Sequence, residues 1–245
     1  MRTRNITLLG RFHRSGMDTE TIDREGLGGL SALLAKIDAI DSRSGLADAT
    51  IILLEQGFGP VYYYWAEVDP KNSEEMIPGL YQGGLGLPDR DYYLRNDTKS
   101  VEIQDAYRDH IARVLVLAGE PAEQARADAE TIYTMEKTLA AAHLCSEENR
   151  DPIKTTNIYT LAELEEEYPA IGWETLSAIP GSGPVDRVHI YQPGYLEGLN
   201  SLLETALLVA EYNEFEALPG FYVNRNLTLG ENIADFGGLT LAYRA

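Results

Sequence analysis

Apolar side chains recur every three or four residues along most of the chain, the spacing that gathers them on one face of an α-helix. Leu27, Leu30, Leu34 and Ile37 form one such stripe behind a glycine-rich turn around Gly26. A helix over 44–56 comes next, with Gly57 placed to end it. Two long helices follow. One covers 100–118 and stops before Gly119. The other opens at Pro121 and continues to about 144, burying Ile132, Met135, Leu139 and Ala142. Thr160 and Glu163 have the spacing of a capping box and open a short acidic helix that Pro169 ends. A last helix, 195–215, aligns Leu196, Leu199, Leu202, Leu203, Ala206, Leu207 and Ala210 before Pro219 and Gly220 break it.

Two stretches depart from this pattern. VYYYWAEVD, 61–69, is β-branched and aromatic, precedes Pro70 and reads as a half-buried strand rather than a stacking platform. RVHIY, 187–191, reads as a shorter strand. The fold class predicted is predominantly α with small β elements. GGLGLPDRD has no following Lys-Ser or Lys-Thr, so it reads as a turn with local ion pairs made by Asp89, Arg90 and Asp91 rather than a phosphate loop. EEMIP and ELEEEY read as solvated faces.

Charge narrows the partners. With 39 acidic and 20 basic residues the chain carries a net −19, which repels nucleic acid and anionic membrane surfaces. The single cysteine, Cys145, excludes an internal disulfide and reads as a small buried thiol. No window approaches the ~20 apolar residues of a membrane span, and the run at 6–10 is too short for a signal peptide, so a soluble, cytoplasmic chain is expected.

Chemistry concentrates at the end, in NLTLGENIADFGGLTLAYRA, 226–245. Thr228 and Glu231 have capping-box spacing, which would leave Asp235 solvated. Alternatively, Glu231 and Asp235, one helical turn apart, project from one face towards a cation. Gly237 and Gly238, each costing up to ~1 kcal/mol inside a helix, then mark a close approach.

LTLGENIADFGGLTLAY resembles the third-ligand motif of the neprilysin-like zinc metallopeptidases. FHRSGMDTETID, GGLGLPDRDYY, ENRDPIKTTN and DRVHIYQPGYL are similar to segments of that family's helical lobe, in the same order. The resemblance implies a zinc ion held by two histidines of an HExxH helix and by a glutamate, here Glu231, with Asp235 orienting a zinc-binding histidine. The implied reaction is hydrolysis of peptide bonds in oligopeptides by a zinc-bound water. Yet the four histidines, His13, His110, His143 and His189, are far apart and none is followed by Glu. HExxH is absent, as is the family's substrate-aligning Asn-Ala segment. Segments that flank the missing stretch meet near Thr205 and Ala206, where the helical phase is kept.

The resemblance therefore implies a truncated, internally deleted relative. Residues 1–205 form the N-terminal helical lobe, incomplete at its start, and 206–245 form a fragment of the catalytic domain. The chain alone is expected to be inactive, with a peptide substrate or ligand as partner. The alternatives are a non-catalytic peptide-binding or regulatory module, or a remnant or partial gene product. Apolar faces left without a catalytic lobe lead one to expect self-association or pairing with a full-length relative.

Overall fold

The computed structural model describes residues 2–40, 42–173, 176, 185–212, 216–218 and 221–222. Two compact units divide the chain, Met1–Ala39 and Ile40–Ala245.

In the first, α1 (Arg2–Met17), α2 (Thr19–Glu25), a 3-10 turn (Gly26–Leu30) and α3 (Ser31–Asp38) follow one another. Asp18 caps α2, its carboxylate accepting from the Thr21 amide at 3.1 Å. The stripe predicted from Leu27 to Ile37 is half-buried and is shared between the 3-10 turn and α3. Three glycines within GLGGL lower α-helical propensity there and account for the break. The run at 6–10 lies within α1, a helix the sequence pattern did not suggest, and Leu8, Leu9 and Phe12 on it are exposed.

The second unit opens with α4 (Arg43–Glu55), one residue from its expected start. Ser42 caps it at 3.2 Å and Gly57 takes a positive φ of 85° beyond its end. β1 (Tyr62–Asp69) and β2 (Asn72–Gln82) then form an antiparallel hairpin. Asp69 Oδ1 accepts from the Lys71 amide at 2.7 Å and rigidifies its turn. β2 was hidden by Pro78 and Gly79, which break any strand pattern. Pairing of β2 with the strand on its other side begins only at Gly79, so Pro78 lies outside the two-sided stretch and its missing N–H is tolerated there. EEMIP is thus part of a strand, although Glu74, Glu75 and Met76 are exposed as expected.

After α5 (Asp91–Leu94) come the long helices α6 (Thr98–Ala118) and α7 (Ala122–Ala142). Asp97 caps α6, and Gly119 ends it in the left-handed region at φ 109°. α8 (Pro152–Thr155), β3 (Asn157–Thr160), α9 (Leu161–Glu167), β4 (Arg187–Ile190) and α10 (Pro193–Tyr212) complete the body, followed by the short pair β5 (Glu216–Leu218) and β6 (Phe221–Tyr222). The four-stranded sheet has the order β1-β2-β4-β3, with β2 and β4 parallel. α10 passes Thr205 and Ala206 without a break. The expected break at Pro219 and Gly220 lies outside the described residues.

The main core joins sheet and helices. Leu80, Val188 and Ile190 meet Met135 and Leu139 of α7 and Tyr195, Leu196, Leu199 and Leu203 of α10. Each such apolar side chain contributes about 1.5–3 kcal/mol by leaving water. Cys145, expected to be buried, is only partly so.

The capping box of α9 forms as predicted: the Thr160 amide donates to Glu163 Oε2 at 2.7 Å, and the Glu163 amide donates to Thr160 Oγ1 at 3.2 Å. Thr160→Ala is expected to lower the unfolding free energy by about 1 kcal/mol in urea titration. An unchanged midpoint would contradict this.

Candidate functional site

The loop GGLGLPDRDYY is held from below by one buried carboxylate on α7. Glu136 takes the Tyr93 hydroxyl at 2.6 Å and the Tyr107 hydroxyl at 2.9 Å, and the Gly86 amide also donates to it. The Leu87 amide in turn donates to the Tyr93 oxygen at 2.8 Å. Gly86 is required here, because a Cβ would lie 1.8 Å from the Tyr107 hydroxyl. Burial raises the Glu136 carboxyl to about 7, against hydrogen bonds from Tyr93, Tyr107 and Gly86 that favour its charged form. The sequence offered one clue: Glu136 falls on the same stripe as Ile132 and Leu139.

A second set of contacts seats the loop against the end of α7. His143 donates from Nε2 to the Gly83 carbonyl at 2.9 Å, and its ring meets Tyr195 edge-on. Burial first, then the Arg90 charge, pushes its imidazole down to about 4. Gln82 pairs with the Leu144 backbone, accepting from its amide at 2.8 Å and donating to its carbonyl at 3.2 Å. Gln192 bridges the Gln82 amide to Asn149 Oδ1 at 2.9 and 2.7 Å.

Of the local ion pairs predicted for Asp89, Arg90 and Asp91, the one that forms joins Asp91 to Arg95. Arg90 reaches the His143 carbonyl at the end of α7, where a helix favours a cation. Asp89 accepts from Ser146, and Asp91 pairs with Arg95 at 2.7 Å. Over these contacts lies a cavity of about 490 Å³, bounded by Tyr63 and Tyr81 on one side and by the loop, Asn149 and Arg150 on the other.

Across the sheet, Glu67 accepts from Trp65 Nε1 at 3.0 Å and from the Tyr191 hydroxyl at 2.7 Å, and lies 2.6 Å from His189 Nδ1. Gly79 leaves room for that carboxylate, since a Cβ there would lie 2.4 Å from Glu67 Oε1. His189 Nε2 faces the Thr155 carbonyl at 2.7 Å, so both ring nitrogens face acceptors. In the sequence His189 is an isolated histidine within a strand, and only the sheet register brings Glu67 to it.

Glu231 and Asp235, the residues proposed for the metal, lie outside the described residues. Zinc needs several nitrogen, sulfur or carboxylate donors free to converge. Among the described residues no three His, Cys, Asp or Glu side chains do so. His189 and His143 are engaged as above, and His13 and His110 stand on exposed helix faces. The described residues do not fit a zinc ion. Among them, too, no helix is long and apolar enough to cross a membrane.

Comparison with known proteins places this architecture. Residues 2–222 match the family model described as Peptidase family M13. Endothelin-converting enzyme 1 of Cavia porcellus is 31% identical over 151 residues, covering 60% of this chain and 20% of that enzyme. An endothelin-converting enzyme homolog of Locusta migratoria is 28% identical over the same length. The matched stretch thus spans about a fifth of these relatives. The zinc metalloprotease ZMP1 of Mycobacterium tuberculosis, solved with an inhibitor, superposes with a TM-score of 0.72 at 25% identity, over 92% of this chain and 37% of that one. PEPO of Lactobacillus rhamnosis shares the fold, with a TM-score of 0.62 at 17% identity, over 89% of this chain and 38% of that one. With nine-tenths of its length matched, the chain belongs to Peptidase family M13, a family of zinc metallopeptidases.

Proposed function

We propose that this chain serves as the peptide-handling helical lobe of a neprilysin-like zinc endopeptidase and that these 245 residues do not hydrolyse peptides by themselves. The supporting observation is the family match over 2–222, set against a sequence without HExxH. In this reading 1–205 is the lobe and 206–245 a piece of the catalytic domain. Glu231 is a zinc ligand and Asp235 orients a histidine that the chain does not contain. Two histidines would have to join Glu231 to hold a zinc ion, and a general base would have to stand beside it; the ion would then supply an activated water. A second copy or a full-length relative would have to bring them. The cavity bounded by GGLGLPDRDYY favours a second role, as a non-catalytic peptide-binding module.

Elemental analysis of protein purified without a metal-affinity tag, together with cleavage of an internally quenched oligopeptide, tests this. The expected result is zinc well below one ion per chain and no chelator-sensitive cleavage. Chelator-sensitive cleavage that is lost in Glu231→Gln would overturn it.

A further inference from the structure

The segments GGLGLPDRDYY and ENRDPIKTTN, far apart in sequence, meet on the same cavity. Its apolar lining comes from Leu85, Leu87 and Pro88. Tyr63 and Tyr81 stand opposite each other in the β1–β2 register and form one wall. Neither hydroxyl has a hydrogen-bond partner among the described residues.

Its charge runs against that of the chain. Arg95, Arg108 and Arg187 each pair with a carboxylate. Arg90 and Arg150 both line the cavity, and neither pairs with a carboxylate among the described residues. Arg90 donates to a backbone carbonyl, while the exposed Arg150 guanidinium has no partner there. Asp89 is the one acid on the lining among the described residues, and its two oxygens already accept from the Asp91 amide at 2.9 Å and from Ser146 at 2.9 Å. A volume of about 490 Å³ falls in the range of small-ligand sites. Guanidinium donors fit a planar carboxylate, and tyrosine and leucine surfaces fit an apolar side chain beside it.

We propose that this cavity binds the free carboxyl end of a short peptide whose last side chain is apolar or aromatic, with Arg150 as its principal anchor. This deepens the peptide-handling reading and rests on it.

Trp65 reports on the site, because its ring lies 6.3 Å from Tyr81, whereas the other tryptophan, Trp173, is fully buried. The experiment titrates the full chain, with chelator present, with N-acetyl-leucylphenylalanine and with its C-terminal amide, reading tryptophan fluorescence. Saturable binding of the acid is expected, about tenfold weaker for the amide and for Arg150→Ala, with partial recovery in Arg150→Lys. Equal binding of acid and amide, an Arg150→Ala variant that binds like the parent, or no saturation by about 10 mM would overturn the proposal. So would inorganic phosphate that competes as well as the peptide, which would mark a site for simple anions. Because chelator is present throughout, failure here leaves the result of the cleavage assay standing, and the reverse holds too.

Discussion

Glu136→Gln removes a pH dependence that in the parent chain amounts to a loss of about 3 kcal/mol of stability between pH 4.5 and pH 7. The carboxyl is raised from 4.5 in the unfolded chain to about 7 in the folded one. In that window the folded state holds a proton that the unfolded state has released. The contribution is therefore complete below 4.5 and is lost as the pH rises through 7. Glutamine keeps an acceptor for Tyr93 and Tyr107 and has no charge to bury. His143 acts in the opposite sense, because its folded imidazole titrates near 4 rather than 6.5, so its contribution is lost as the pH falls. The difference between parent and variant isolates Glu136. Urea unfolding at several pH values should show the two profiles diverging by about 3 kcal/mol from acid to neutral pH. Parallel profiles would refute the assignment.

Gly198→Leu is expected to cost about 3 kcal/mol through overpacking at the contact between α7 and α10. A Cβ at Gly198 would lie 2.5 Å from the Cβ of Ala142, a distance that neither helix backbone can absorb without moving. Moving them apart loosens Leu139 and Met135 against Leu196 and Leu199, the centre of the main core. The smaller change Gly198→Ala gains helix propensity of about 1 kcal/mol yet meets the same atom. Its cost should therefore be largely recovered when combined with Ala142→Gly. Urea titration of the two single variants and the double variant gives the coupling energy. Additive effects, or a Gly198→Leu variant as stable as the parent, would show that the helices are not held together here.

The family, the helical character and most helix ends could be read from the residues themselves. Thr160 with Glu163, Gly57 and Gly119 act on backbone groups within a few residues of themselves, so their effect does not wait for the rest of the chain to fold. For Glu231 and Asp235 spacing alone left a capping box and a cation site both open; the metal reading came from the family resemblance, and both residues lie outside the described residues. β2 was not, because a strand containing Pro78 and Gly79 is stabilised by β1 and β4 rather than by its own propensity. Nor could spacing show that Arg90 would leave its acidic neighbours for the end of α7, that Glu67 would reach His189, or that Glu136 would be buried beneath GGLGLPDRDYY. Each of those contacts joins residues brought together by packing, and burial, outweighing the hydrogen bonds, raises the Glu136 carboxyl. The local signals determined where helices begin and stop; the tertiary structure decided which charges face which, because that depends on distances only the folded chain defines.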